Sequence, residues 1–272
     1  MEFFCTCNHI PLHVSDTGGG KPAVVLLHGY LETLSVWDDF VTCLEKDYRI
    51  IRIDLPGHGL SGTAEINSVD FSAQAIYEAL QKQQVRECVI GGHSMGGYTA
   101  LAFAANYPDA VRGLCLFHST PNADPPQKQE GRNREIALLR EGKLSLVIRQ
   151  GVPRMFADDN VPRFAEKIQE ISEIAEIHNP EGLIACLEGM KRRPDRNEFL
   201  ASFRKPALFI FGEKDRYISL ETAQELSARF PQAQTLWLKN SGHNGFLEEP
   251  ERTAEGFLKF LSSIDGEREV KN

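Results

Sequence analysis

The sequence predicts an α/β protein with a mainly parallel sheet whose alternation is broken once by a helical insertion. Three observations predict it. Short, nearly continuous apolar runs recur along the chain, amphipathic helical patterns fall between most of them, and a proline-opened stretch from Thr120 to Arg204 contains no such run. Phe3 to Cys7 and Pro11 to Ser15 have no helix between them and read as an antiparallel hairpin at one sheet edge. PAVVLLH at 22–28, YRIIRID at 48–54, ECVIGG at 87–92, VRGLCLFH at 111–118 and PALFIFG at 206–212 have the character of strands buried on both faces. Helical patterns at Ser35 to Leu44, Ser68 to Gln81 and Met95 to Tyr107 supply the crossovers. Thr235 to Lys239 and Glu249 to Leu261 form a last strand and helix, and the polar tail from Asp265 to Asn272 is expected to fray.

In the insertion, Pro121, Pro125 and Pro126 precede apolar stripes at helical spacing: Phe164, Ile168, Ile171 and Ala175, then Leu183, Cys186, Leu187 and Met190. Most of these residues read as packing; Met155, Phe156 and Met190 are kept as candidate pocket lining. The expected organisation is a core at 1–120, a helical cap at 121–204 and the remainder of the core at 205–272, within the size of one large domain with an inserted subdomain.

A formal net charge of −8 argues against a phosphate-binding surface, so no nucleic-acid partner is expected. No window approaches a membrane span, and the N-terminus lacks a basic segment leading into a long apolar stretch; a cytoplasmic location is expected. Cys88 and Cys115 lie in strand-like runs, Cys43 and Cys186 in helical patterns, and none makes a CxxC pair, so they are expected to be reduced core residues. Cys5 and Cys7 are expected to point to opposite faces of their strand, which argues against a metal site. The basic run Lys191 to Arg196 reads as a solvated surface. Gly18-Gly19-Gly20-Lys21 lacks the spacing of a phosphate-binding loop and reads as a turn.

The chemistry centres on Gly92-His93-Ser94-Met95-Gly96, a G-x-S-x-G placed between a buried strand and a helix. The glycines permit a turn so tight that Ser94 takes a strained backbone conformation and its hydroxyl is lifted clear of the sheet. A serine hydroxyl becomes a useful nucleophile only when a base takes its proton, and the base needs a carboxylate to fix its tautomer. With the chain order serine, acid, histidine that accompanies this elbow, His118, His178 and His243 remain. His243, in the glycine-containing loop between the last strand and helix, is the chosen base. Asp215, after the strand at 206–212, is the chosen acid over Glu213 and Asp124, because its loop leaves the same sheet edge as Ser94. Two backbone donors are needed for a developing oxyanion. Met95 supplies one and Tyr30 the other, with Leu31 as alternate donor and candidate pocket residue.

Five segments in order, HGYLETLSVW at 28–37, DLPGHGLS at 54–61, GHSMGGYTAL at 92–101, FGEKDRYI at 211–218 and SGHNGFLEEP at 241–250, give the chain a resemblance to the α/β-hydrolase superfamily over nearly its whole length. The resemblance implies an eight-stranded, mostly parallel sheet flanked by helices, with a helical cap after strand six. It also makes Asp54 to Ser61 a structural loop, so that Asp54 and His58 are not expected to be catalytic. Within the superfamily the chain is similar to capped serine esterases, enol-lactone hydrolases and menaquinone-pathway synthases. Dehalogenases and epoxide hydrolases of this fold use an Asp nucleophile, which Ser94 argues against.

The expected activity is hydrolysis of a small carboxylic ester or lactone through Ser94, His243 and Asp215, with no metal and no cofactor, by a monomer or homodimer. A lyase, carbon–carbon bond hydrolase or perhydrolase using the same residues, and a non-hydrolytic small-molecule sensor, are the alternatives.

Overall fold

The structure, a computed structural model, describes residues 1–20 and 22–269. Its strands are β1 (Glu2–Cys7), β2 (Ile10–Asp16), β3 (Ala23–Leu27), β4 (Arg49–Ile53), β5 (Cys88–His93), β6 (Val111–Phe117), β7 (Ala207–Gly212) and β8 (Gln234–Leu238). The helices are α1 (Asp38–Thr42), α2 (Val69–Lys82), α3 (Met95–Asn106), α4 (Pro126–Arg140), α5 (Leu144–Gly151), α6 (Ala165–Glu176), α7 (Pro180–Lys191), α8 (Asn197–Ser202), α9 (Leu220–Arg229), α10 (Gly245–Glu248) and α11 (Pro250–Glu269). All eight strands form one sheet in the order β1-β2-β4-β3-β5-β6-β7-β8. The β1/β2 and β2/β4 pairs are antiparallel and the rest parallel, as the apolar runs and the helix-free first hairpin require.

Alternate residues of each central strand enter different cores. Val25, Leu27 and Ile90 pack with α2, α3 and the helices between β6 and β7, while Val24, Leu26 and Val89 pack with Trp37, Phe40, Phe246, Phe257 and Phe260. Both faces are thus dry, which is why these strands carry no polar alternation. The chain reverses its lateral direction between β3 and β5, where Leu27 stands opposite Gly92. Loops leaving two adjacent strands at such a switch diverge, and a crevice opens at their carboxyl ends. The loops after β3 and β5 leave there.

Several expectations change in the folded chain. The helix expected over Ser35 to Leu44 is a 3₁₀ turn, Leu34–Trp37, followed by the short α1. The tail does not fray at Asp265: α11 continues to Glu269, because Ile264 is buried and Asp265 accepts from Arg112 Nη2 at 3.0 Å and Tyr48 Oη at 3.1 Å. Residues 270–272 of that expected tail, and Lys21 of the glycine turn, lie outside the described residues. Cys43 is exposed just past α1 and belongs to no core. Cys5 and Cys7 share a face, as positions i and i+2 of a strand must, and their sulfurs lie 3.4 Å apart. Among the described residues, no helix is long and apolar enough to cross a membrane.

Candidate active site

Ser94 occupies the one residue between β5 and α3, with φ 48° and ψ −109°. A non-glycine residue held there stores about 1–3 kcal/mol of strain. Its surroundings hold it: Ser94 N–H donates to Phe117 O at 2.9 Å, and Ser94 O accepts from Ser119 Oγ at 2.7 Å and Gly97 N at 3.0 Å. The glycines around it are steric necessities. A Cβ on Gly92 would meet Gly96 backbone carbon at 2.2 Å, and one on Gly96 would meet Leu27 O at 2.4 Å. The side chain of Ser94 is partly exposed, and α3 starts at Met95 with its amides at that end.

Asp215 and His243 come from the loops after β7 and β8. His243 Nδ1 donates to Asp215 Oδ2 at 2.7 Å, and both side chains are buried. Asp215 Oδ1 accepts from Tyr217 N at 2.7 Å and Ile218 N at 3.0 Å, so its plane is fixed. Burial acts to raise the Asp215 carboxyl, but His243 and His118 outweigh it and hold the group well below the usual carboxylate range. The His243 loop is pinned through its backbone: His243 N and Asn244 N donate to Met155 O at 2.7 and 3.0 Å. With Nδ1 committed to the carboxylate, Nε2 is the nitrogen left to accept a proton.

His118, the last alternative base at a strand end, instead backs this pair. Its Nε2 accepts from Gly245 N at 3.1 Å, which places the ring proton on Nδ1, 3.5 Å from Asp215 Oδ2. Burial pushes His118 down to about 4. His118, Asp215 and His243 also present ligand-type atoms within 4.8 Å of one another, but these atoms are engaged with each other and with Gly245.

On the opposite side, the loop after β3 is held at nearly every residue. His28 Nδ1 donates to Gly29 O at 2.7 Å and its Nε2 accepts from Leu55 N at 2.9 Å. Gly29 N donates to Glu32 Oε2 at 2.6 Å. Leu31, at φ 66°, donates its N–H to His58 Nε2 at 3.2 Å. The N–H of Leu31, the alternate donor expected on this loop, is thereby engaged with His58. Glu32 also accepts from His93 Nδ1 at 2.8 Å, and His93 Nε2 donates to His243 O at 2.9 Å, joining the two loops behind Ser94.

The candidate pocket residues are all interior. Leu31, Met155, Phe156 and Met190 are buried, with Phe156 packed on Phe164 at 5.6 Å between ring centres. A cavity bounded by Glu32, Ser35, Lys167 and Ile171 and another bounded by Tyr98, Thr120, Arg193 and Arg196 include none of them, nor Ser94. Asp54, as expected, is structural: it accepts from Leu34 N at 2.7 Å and Leu60 N at 3.0 Å and lies 2.8 Å from His13 Nδ1. Asp124 is likewise removed from the acid role, since it pairs with Arg132 and, at 2.7 Å, with Arg193. That pairing corrects the reading of Lys191 to Arg196 as solvated throughout: Arg193 is buried, 3.8 Å above the Tyr98 ring. Glu32 and His93 lie inside the segments 28–37 and 92–96 but at positions to which the motifs assign no role, and His118 had only the signal of a histidine at a strand end.

Among known proteins, the chain is 29% identical over 262 residues to a 2-hydroxy-6-oxononadienedioate/2-hydroxy-6-oxononatrienedioate hydrolase of Paraburkholderia phymatum, covering 92% of this chain and 90% of the relative. It is 28% identical over 250 residues to a pimeloyl-(acyl-carrier protein) methyl ester esterase of Vibrio vulnificus, covering 90% of this chain and 96% of the relative. A solved thermophilic esterase from Thermogutta terrifontis superimposes with a TM-score of 0.90 at 27% identity, covering 97% of this chain and 99% of that one. With the family model matching residues 24–256 on top of the sheet order and the serine elbow, the chain belongs to the alpha/beta hydrolase family.

Proposed function

We propose that the protein is a serine hydrolase of small carboxylic esters or lactones, working through an acyl-enzyme. The observation that carries this reading is the pairing of a strained, partly exposed Ser94 at the elbow with a buried Asp215–His243 hydrogen bond of 2.7 Å on the same sheet edge. In this reading His243 Nε2 takes the Ser94 proton as Oγ attacks the carbonyl carbon, and the Tyr30 and Met95 amides receive the negative charge on the carbonyl oxygen. The protonated imidazole, stabilised by Asp215, then gives its proton to the leaving alcohol. Water repeats the cycle on the acyl-enzyme and releases the acid. Helices α4 to α8 form the cap, covering 121–204, and select the substrate. The six free cysteines support a reducing, cytoplasmic setting.

The test is hydrolysis of a panel of short- and medium-chain p-nitrophenyl esters and simple lactones by the wild type and Ser94→Ala. The wild type should turn over at least part of the panel, and the variant should lose nearly all turnover while keeping the wild-type circular-dichroism spectrum. Substantial activity left in Ser94→Ala rejects the nucleophile. A folded wild type that turns over none of these substrates moves the lyase, carbon–carbon hydrolase and sensor readings ahead.

A further inference from the structure

The loop that carries the Tyr30 amide is clamped from both sides of that residue, and part of the clamp belongs to the helical segment above it. His58 Nε2 accepts the Leu31 N–H, so the His58 proton sits on Nδ1, facing Cys186 Sγ of α7 at 3.6 Å. Cys186 in turn reaches Pro56 O at 3.0 Å, and Gly182 packs so closely on Gly57 that a Cβ there would meet Gly57 O at 2.6 Å. His178, just beyond α6, places Nε2 3.2 Å from Glu32 O and Nδ1 3.0 Å from Ile174 O, and its ring lies edge-on to His58 at 5.1 Å between centres. Both histidines are buried. Leu31 is therefore tied by a histidine that touches α7, and the carbonyl of Glu32 lies against a second histidine that belongs to the segment between β6 and β7 and can donate to it from the Nε2–H tautomer.

We propose that His58 and His178 are positioning residues that hold the Tyr30 amide in its oxyanion-binding orientation, so that docking of α6 and α7 sets transition-state stabilisation as well as covering the substrate. This rests on the reading of Ser94 and Tyr30 given above. The physical argument is that Leu31 is a non-glycine residue at φ 66°. That conformation is unfavourable by about 1–2 kcal/mol. Without the His58 acceptor, the buried Leu31 N–H loses its partner and the Tyr30–Leu31 peptide is free to turn. The Tyr30 N–H sits in the preceding peptide, whose carbonyl His28 holds, so the change reaches it by displacing the Tyr30 Cα and with it the donor's aim at the oxyanion. Such a change is felt where charge develops and hardly at all in ground-state binding.

The experiment compares wild type, His58→Leu, His58→Gln, His178→Leu and His178→Gln, with active sites counted by fluorophosphonate titration. Glutamine restores an acceptor for Leu31 N–H at position 58 and a donor for Glu32 O at position 178; leucine restores neither. The readouts are kcat per titrated site, KM, and the affinity for a trifluoromethyl ketone, which forms a tetrahedral adduct with an activated serine. The leucine variants should lose about 10- to 100-fold in kcat, somewhat less than outright removal of an oxyanion donor, and weaken the ketone in proportion. Their KM should stay within about 3-fold, and the glutamine variants should recover most of both losses. Leucine variants with wild-type kcat per site and wild-type ketone affinity overturn the proposal, as does a loss confined to KM or to the titratable fraction. If a leucine variant does not fold, the glutamine variant at that position and the pair at the other position carry the same comparison. Failure of the wild type itself to react with the fluorophosphonate removes the Ser94 reading, and this proposal with it; a reactive wild type with unaffected variants removes this proposal alone.

Discussion

Replacing Asp215 by Asn changes one atom, and the structure dictates which way the new amide must face. Asp215 Oδ1 accepts two backbone N–H groups, from Tyr217 and Ile218, at 2.7 and 3.0 Å. An NH₂ group cannot take that place, so the Asn oxygen stays there and its NH₂ is turned toward His243 Nδ1, now 2.7 Å from a donor instead of an acceptor. The imidazole can meet that donor only with an unprotonated Nδ1, which moves its proton to Nε2 and deprives Ser94 of its base. A wrong tautomer in a serine–histidine–acid system costs about 10⁴-fold in kcat, or about 5 kcal/mol of transition-state stabilisation. Burial and overall shape are unchanged, so the fold should persist. The assay is p-nitrophenyl ester turnover by Asp215→Asn, with thermal unfolding followed in parallel. A loss smaller than about 10-fold in a well-folded variant refutes the assignment of Asp215 as the orienting acid.

Acid should destabilise the protein through its buried neutral histidines. His118 sits at about 4 when folded against an ordinary value of 6.5, so between these limits the unfolded chain binds a proton that the native state refuses, and stability falls as pH falls. Going from pH 7.5 to 4.5, His118 alone accounts for roughly 2–3 kcal/mol. Urea titrations of wild type and His118→Gln at both pH values should show a smaller acid loss in the variant; equal losses contradict the argument. His28 and His58, also pushed down by burial, act with the same sign. At the elbow, Gly96→Ala forces a methyl to within 2.4 Å of Leu27 O and 2.6 Å of His28 O, backbone atoms of a central strand and its loop. It should destabilise by about 3 kcal/mol or more, whereas Gly131→Ala in α4, whose nearest neighbour is 3.9 Å away, should stabilise by about 0.5–1 kcal/mol. Chemical denaturation of the pair checks both signs, and a neutral Gly96→Ala sinks the steric account.

The sheet was legible because its strands are buried on both faces: Val24 to Leu27 and Cys88 to Gly92 have no polar option, so composition alone marks them. The glycines at 92 and 96 were legible for a similar reason, since each is pressed against backbone. What escaped was tertiary. Nothing in the local sequence says that His118 will stand behind Asp215, that Glu32 and His93 will link two loops, or that His58 will accept the Leu31 amide, because each partner lies on another element. Arg193 was misread for the same reason, its charge being answered by Asp124 almost seventy residues earlier. The Cys5 and Cys7 expectation failed on counting alone: alternate strand positions share a face. The helix expected over Ser35 to Leu44 was shortened where Trp37 and Phe40 turn into the aromatic core with Phe117, Phe246 and Phe257.

The central claim is that Ser94 is an activated nucleophile. The most direct measurement is reaction of the purified wild-type protein with a fluorophosphonate, followed by peptide mass spectrometry, with Ser94→Ala alongside. The account predicts a stoichiometric phosphonyl adduct on the peptide containing Gly92-His93-Ser94-Met95-Gly96, assigned to Ser94 and absent from the variant. A folded wild-type protein that acquires no adduct, or acquires it on another residue, contradicts it.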